Sequence, residues 1–188
     1  MRHLWAPWRM QYILNSVEQR KREVKAFPAD RNDESVKEAC FICDALADTT
    51  DSDRRNLLVY RGQKASIILN RFPYNNGHLL VVPHEHLAEL TDFSGEMLHE
   101  PIELLQISMK VLNLMMEPQG YNVGLNQGRV AGAGLPGHLH WHLVPRWLGD
   151  VNFMPTLSDT RVIVDSLDSF FVRFQQELAN FFKTSSLL

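Results

Sequence analysis

The 188-residue chain lacks several features, and each absence narrows the class of protein. It has only two cysteines, three positions apart, which excludes a disulfide framework. No apolar run approaches the roughly 18 residues that a membrane span needs, and the opening "MRHLWAPWRM" has no apolar signal-peptide core. The formal net charge is -3, without the basic excess of a domain-wide nucleic-acid footprint. We therefore expect a cytoplasmic, reduced protein whose partners are neither nucleic acids nor membranes.

The rest of the composition is that of a soluble globular protein, with 45% hydrophobic and 22% charged residues. Residues 1–37 are predicted to form an aromatic arm, which contains Trp5 and Trp8, followed by a charged helix or linker. Residues 38–188 are predicted to form one domain that ends in an amphipathic helix.

From residue 56 onward the pattern predicts strands around one long helix. "NLLVY" and "ASIILN" suit a hairpin, and "NNGHLLVVP" suits a strand after an Asn-Gly turn. Residues 98–116 place apolar side chains on two helix faces, which indicates cover by the sheet and by a second subunit. "YNVGLN" and "HLHWHLVP" are predicted as further strands. This order favours an α+β domain with a largely antiparallel sheet, one long helix and a C-terminal helix.

Three histidines alternate with apolar residues in "GHLHWHLVPRW", residues 137–147. On a strand, the rings of His138, His140 and His142 share one face, and the apolar residues between them face the core. The alternative is a solvated outer face, although such faces favour Lys, Glu and Thr. Imidazoles act as ligands, nucleophiles or proton carriers near neutral pH. His140 has a polar neighbour on each side and is therefore the predicted nucleophile.

A glycine-rich stretch, residues 124–137, lies directly before these histidines and contains five of the ten glycines. Its G-x-G-x-x-G spacing is not interpreted as a dinucleotide fingerprint, because that motif must open a helix and a strand pattern follows here. A plain flexible loop is the alternative interpretation. Beside three imidazoles, however, glycines let backbone N–H groups converge on phosphate oxygens. The combination predicts nucleophilic catalysis at phosphorus.

The two cysteines lie in "CFIC", and Cys40 and Cys43 have the spacing of half a tetrahedral zinc site. A redox pair would be expected at a strand-to-helix turn, which this stretch does not show. Because no second C-x-x-C exists, zinc would need two histidines, and His86 and His138 are candidates. Two reduced cysteines without a metal remain the alternative.

The block "HLHWHLV" resembles the His-φ-His-φ-His-φ-φ signature of the histidine triad (HIT) superfamily of nucleotidyl hydrolases and transferases. "ILNRFPYNNGHLLVVPHEHLAEL" resembles the family's N-terminal strand block, and "GLNQGRVAGAGLPG" resembles its phosphate loop. Over most of residues 1–182, the chain resembles the bacterial branch that includes diadenosine tetraphosphate phosphorylases. The resemblance implies that residues 38–188 form a HIT-like nucleotide-binding catalytic domain. It also implies a homodimer formed through the long helix and the sheet.

The resemblance further implies a role for each matching residue. In the triad of His138, His140 and His142, His140 would attack an α-phosphate and carry a nucleotidyl-histidine intermediate, while His142 would hydrogen-bond the phosphate or bridging oxygen. Nucleotide contacts or their support are implied for Asn70, His78, Asn126 and Gly134; many relatives carry Gln, Ser or Thr at the position of Gly134. A structural zinc ion, with no open coordination position, would be held by Cys40, Cys43, His86 and His138.

The leading functional hypothesis is an AMP-transferring phosphorylase of dinucleoside polyphosphates such as diadenosine tetraphosphate. A HIT hydrolase of nucleoside phosphoramidates or other nucleotide conjugates has the same fold and nucleophile. The two differ in whether phosphate or water accepts the nucleotidyl group, which no single residue of the sequence decides. A nucleotide-binding module without turnover is the third hypothesis.

Overall fold

In a computed structural model of the protein, the structure describes residues 40–150 and 163–185. The predicted aromatic arm, the charged linker and the boundary at residue 37 lie outside these ranges. The described part contains helices α1 (Phe41–Ala47), α2 (Asp53–Asn56), α3 (Glu96–Met116) and α4 (Leu167–Ser185), and strands β1 (Leu58–Arg61), β2 (Ala65–Leu69), β3 (Leu79–Pro83), β4 (Gly120–Leu125) and β5 (Trp141–Arg146). Within it, no helix combines the length and apolar character that crossing a membrane requires.

The five strands form one antiparallel sheet in the order β1-β2-β3-β5-β4. Strand β5 lies between β3 and β4, so that His142 is paired with Leu80 on one side and with Gly124 on the other. The Asn-Gly turn before β3 is present, and Gly77 has the positive φ of 75° that such turns require. The antiparallel sheet with a long helix and a C-terminal helix confirms the predicted α+β fold.

The core lies between the sheet and the two long helices. The buried side of α3 combines residues from both predicted apolar faces: Leu104, Leu105, Val111 and Leu112. Ile102 and Leu114, which belong to the same two faces, are exposed. Helix α4 buries three phenylalanines and a leucine, namely Phe170, Phe171, Phe174 and Leu178, and it contacts α3. Each of the two helices therefore buries one apolar side in the core.

Two predicted strand boundaries are wrong. The first strand does not begin at Asn56, which ends α2; Leu57 then adopts a left-handed conformation (φ 59°) that turns the chain into β1. Strand β5 begins at Trp141, so His138 and His140 precede it. The physical reason is that Leu139 N–H donates to Leu87 O at 2.8 Å, which pairs this segment with the loop after β3 rather than with a strand.

Candidate active site and metal centre

A cavity of about 490 Å³ lies beside two of the three histidines, His140 and His142. Its walls are mainly apolar side chains of α1, of the turn into β1, and of β2 and β3, including Phe41, Ala45, Leu57, Ile68 and Leu80. Asn70, Arg71, Phe72, Tyr74 and the glycine-rich stretch complete the lining. The volume and the few polar groups are typical of a small-molecule site.

The ring of His140 is oriented by the main chain. Its Nδ1–H donates to the carbonyl oxygen of His138 at 2.8 Å, and because a carbonyl only accepts, the proton must lie on Nδ1. The other nitrogen, Nε2, therefore carries a lone pair in the neutral ring. Burial lowers the pKa of His140 from its ordinary value of 6.5, so the ring is neutral at neutral pH. His140 consequently presents an unprotonated nitrogen beside the cavity.

A chain of two hydrogen bonds gives the ring of His142 the tautomer opposite to that of His140. Tyr74 N–H donates to Nδ1 of His78 at 3.0 Å, so the neutral ring of His78 carries its proton on Nε2. That Nε2–H donates to Nδ1 of His142 at 2.9 Å, which leaves the proton of His142 on Nε2. Burial, followed by the neighbouring His140, lowers the pKa of His142 to about 4. His142 is thus a neutral hydrogen-bond donor next to an unprotonated nitrogen.

His138 does not line the cavity with its neighbours, although its carbonyl serves His140. Its Nε2–H donates to Pro83 O at 2.9 Å, and its Nδ1 lies 3.4 Å from Sγ of Cys40 and 3.5 Å from Sγ of Cys43. Nδ1 of His86 lies 3.1 Å from Sγ of Cys43. One donor atom from each of these four residues lies within 4.8 Å of the other three. The structure therefore brings together all four predicted metal ligands, and this cluster can hold a metal ion.

The donor set fits a four-coordinate ion with a preference for sulfur and nitrogen. Tetrahedral zinc, with bonds of about 2.3 Å to sulfur and about 2.05 Å to nitrogen, places a sulfur and a nitrogen about 3.5 Å apart. Three measured sulfur–nitrogen distances, 3.1 to 3.5 Å, are close to that value. Burial lowers the pKa of His138 to about 4, and the hydrogen bond to Pro83 O leaves Nδ1 as the ligand atom. All four positions would be filled by protein.

The glycine-rich stretch forms one wall of the cavity through Gly132 and Gly134. Gly132 has a φ of +92°, which a side chain would strain, whereas a Cβ added at Gly134 would meet no atom within 4 Å. Asn126 is not one of the lining residues; its Nδ2 lies 3.5 Å from Gly132 O and so contacts the loop. No helix begins within residues 132–137, in agreement with rejection of the dinucleotide fingerprint.

Sequence reasoning missed two aromatic residues at the cavity, Phe72 and Tyr74. The ring of Tyr74 lies 4.7 Å from the ring of His78 and 5.9 Å from that of His142, centroid to centroid, and is nearly parallel to the latter at 14°. The signal was the segment "FPYN" directly before "NGH". Its aromatic residues lie outside any periodic element, so their packing could not be inferred from spacing.

Comparisons with known proteins identify the family of the chain. The family model of the HIT domain matches residues 52–147. The "AP-4-A phosphorylase" of Mycobacterium tuberculosis is 36% identical over 163 residues, which cover 87% of this chain and 77% of that protein. An adenosine 5′-monophosphoramidase of Schizosaccharomyces pombe is 34% identical over 74 residues, 39% of this chain and 52% of that protein.

Solved structures show the same fold. The crystal structure of a zinc-bound histidine triad family protein from Mycobacterium smegmatis superposes with a TM-score of 0.61 at 24% identity, and the match covers 79% of this chain and 99% of that one. The match to the family model takes in the triad and covers half of the chain. The chain therefore belongs to the histidine triad (HIT) family and is an enzyme of that family.

Proposed function

We propose that the protein transfers AMP from dinucleoside polyphosphates, such as diadenosine tetraphosphate, to inorganic phosphate. The observation that carries the proposal is the pair of opposite tautomers in one nucleotide-sized cavity. His140 offers a lone pair on Nε2, and His142 offers an N–H group on Nε2. The 36% identity to an AP-4-A phosphorylase over most of the chain supports this substrate class.

In the first proposed step, the lone pair of His140 Nε2 forms a bond to the α-phosphorus, and the bond from phosphorus to the leaving nucleotide's oxygen breaks. The electron pair stays on that oxygen, which accepts a hydrogen bond from His142 Nε2–H. The ring of His140 becomes positively charged as it is phosphorylated. Its Nδ1–H already donates to His138 O at 2.8 Å, so the carbonyl dipole stabilises the charge as it develops.

In the second step, an oxygen of inorganic phosphate attacks the same phosphorus, the phosphorus–nitrogen bond breaks, and its electron pair returns to Nε2 of His140. Diadenosine tetraphosphate and phosphate thus give ATP in the first step and ADP in the second. If water were the acceptor, the second product would be AMP, and the enzyme would be a hydrolase. The nucleophile is the same in both cases.

The proposed roles of the other site residues follow from their places around the cavity. The apolar wall formed by Phe41, Leu57 and Ile68 suits the base of the transferred nucleotide, and Asn70 would contact its ribose. His78, which does not line the cavity, orients His142. The loop around Gly134, supported by Asn126, would bind phosphate oxygens through backbone N–H groups.

We propose that the metal held by Cys40, Cys43, His86 and His138 is zinc. Two thiolates and two imidazoles whose donor atoms lie within 4.8 Å of one another favour zinc among the common divalent ions, because magnesium and calcium prefer oxygen ligands. The ion would cross-link α1, the loop after β3 and the segment that leads into β5. Since no coordination position is open, it supplies structure rather than chemistry.

The products formed from diadenosine tetraphosphate test the proposed reaction. ADP and ATP that appear only when phosphate is present support phosphorolysis, whereas AMP and ATP in buffer alone support the hydrolase. Binding without turnover supports the nucleotide-binding module. We expect His140→Ala to abolish turnover and to leave AMP binding intact, and His99→Ala, on the exposed side of α3, is the matched control. Substantial activity in His140→Ala would overturn the assignment of the nucleophile.

We further propose a homodimer formed through β4 and α3. Strand β4 pairs only with β5 among the described strands, so its other edge is open, and open edges are normally covered. Val123 of β4 and Ile102 of α3 are each 45% exposed, and the hydroxyl of Tyr121 donates to Met109 O, which places β4 beside α3. Light scattering should give the mass of two chains, and Val123→Lys should give that of one. A monomeric wild type would refute the proposal.

A further inference from the structure

Two aromatic side chains that line the cavity are largely exposed to solvent. Phe72 is 78% exposed and Tyr74 is 51% exposed, yet both line the cavity that contains His140 and His142. Neither ring is needed to fill the core at this level of exposure. An exposed ring beside a binding cavity is the arrangement that proteins use to stack a flat ligand group. We refer to residues 72–74 as the aromatic rim.

The backbone of the aromatic rim is held by the site itself. Phe72 N–H donates to Oδ1 of Asn70 at 2.9 Å, and Tyr74 N–H donates to Nδ1 of His78 at 3.0 Å. Pro73, between them, has a fixed φ. Because the main chain is already ordered, binding a ligand on these rings requires little further loss of conformational entropy.

The direction of the proposed reaction places the leaving group next to this rim. The attacking nitrogen of His140 and the leaving oxygen lie on opposite sides of phosphorus in an in-line displacement, and the leaving oxygen is the one that His142 contacts. The ring of Tyr74 is stacked beside that of His142, 5.9 Å away. The leaving nucleotide therefore extends from His142 past Tyr74. Among the described residues that line the cavity, Arg71 alone has a fixed charge and none is acidic, which suits a polyphosphate.

We propose that the aromatic rim is the subsite for the second nucleobase, the base of the leaving nucleotide, which stacks on Phe72 and Tyr74. This inference rests on the proposed function, since it concerns the second half of the same substrate. A nucleobase is the part of the leaving group with a flat π face, whereas the phosphates and ribose offer none. The rim thereby distinguishes a dinucleoside polyphosphate from a mononucleoside polyphosphate with the same number of phosphates.

The test compares two substrates that differ only in the second nucleoside, diadenosine tetraphosphate and adenosine tetraphosphate. Each is converted in the presence of inorganic phosphate, and ADP formation is measured. Loss of one base stack corresponds to roughly tenfold in kcat/KM. We expect Phe72→Ala to lower kcat/KM for diadenosine tetraphosphate by about that factor and to leave the value for adenosine tetraphosphate unchanged. Phe72→Trp should retain the wild-type preference.

Three controls make the outcomes distinct. Leu148→Ala removes another exposed apolar side chain, which does not line the cavity, and should change neither value. Binding of AMP, measured by calorimetry, should be equal in Phe72→Ala and the wild type, which shows that the first nucleotide's site is intact. If Phe72→Ala affected both substrates equally, or neither, the second-base subsite would be refuted. It would also be refuted if Phe72→Ala lowered the mass of the assembly, because the rim would then mediate self-association. A wild type that converts neither substrate would refute the proposed function itself.

Discussion

Replacement of His78 by leucine should slow nucleotidyl transfer although His78 does not line the cavity. Its imidazole is 2% exposed and connects the backbone N–H of Tyr74 with Nδ1 of His142. Leucine has a similar volume and offers neither an acceptor nor a donor. The ring of His142 then loses the group that holds its proton on Nε2, and the wrong tautomer presents a lone pair to the leaving oxygen instead of an N–H group.

The size of the effect follows from the hydrogen bonds that are lost, with Tyr74 N–H at 3.0 Å, with His142 Nδ1 at 2.9 Å and with Asn70 Nδ2 at 3.3 Å. A buried hydrogen bond contributes about 1 kcal/mol, and an unpaired partner costs about 1–3 kcal/mol. The free energy of unfolding should therefore fall by about 2–4 kcal/mol. The loss of orientation at His142 should lower kcat by about 10- to 100-fold, since 1.36 kcal/mol in the barrier is a factor of ten.

A double-mutant cycle with His142→Ala separates positioning from general destabilisation. The kcat for diadenosine tetraphosphate is measured in the wild type, in His78→Leu, in His142→Ala and in the double variant. If His78 acts through His142, His78→Leu should cost little in the His142→Ala background. Effects on kcat that multiply would refute the reasoning. His78→Gln, whose amide N–H can replace the donor, should recover part of the rate, and its loss of stability should be smaller.

Three further predictions concern the metal, the glycine wall and pH. Cys40→Ser should reduce the bound metal, measured by elemental analysis, and lower the free energy of unfolding by about 4 kcal/mol. A chelator should destabilise the wild type but not the variant. A wild-type protein without bound metal would contradict the metal site. Gly134→Ser should change the free energy of unfolding by less than about 0.5 kcal/mol, because open space surrounds the added Cβ. The new hydroxyl should lower KM for the nucleotide roughly fivefold through one additional hydrogen bond. A loss of stability of more than about 1 kcal/mol would contradict the open space around Gly134. The acid limb of the pH profile of kcat/KM should have its midpoint below pH 6.5. Burial lowers the pKa of His140, so the protonated, non-nucleophilic ring accumulates only in more acidic solution. A midpoint at pH 6.5 or above would contradict the assignment of His140 as the nucleophile.

The fold could be predicted because its signals are local. Apolar periodicity indicated α3 and α4, and the Asn76-Gly77 turn with the apolar run after it indicated β3. The beginning of β5 could not be predicted in the same way. Alternation along the chain predicts that the strand includes His138 and His140, but Leu139 N–H donates to Leu87 O in the loop after β3, and His138 Nε2–H donates to Pro83 O at the end of β3, so the strand begins only at Trp141. Those partners are distant in sequence.

The residues of the site could be predicted from the sequence, but the hydrogen bonds that orient them could not. The spacing of Cys40 and Cys43 indicated half of a metal site, for which His86 and His138 were candidates, and the family resemblance implied the full set of four that the structure brings together. The tautomers of His140 and His142 depend on one carbonyl and on one backbone N–H, which no pattern of side chains reveals. The aromatic rim was missed for a similar reason, because its orientation results from contacts with Asn70 and His78.

The proposed nucleophile, His140, is oriented by a main-chain oxygen, which every amino acid possesses. Because the acceptor for His140 is the main-chain carbonyl of residue 138, no single substitution there can delete it, whereas the imidazole of His138 can be exchanged at any time. The chemistry and the metal are thereby separable in evolution. A descendant that replaced the four proposed ligands with a well-packed apolar cluster would retain the orientation of His140, provided that the new packing held the peptide unit in the same place.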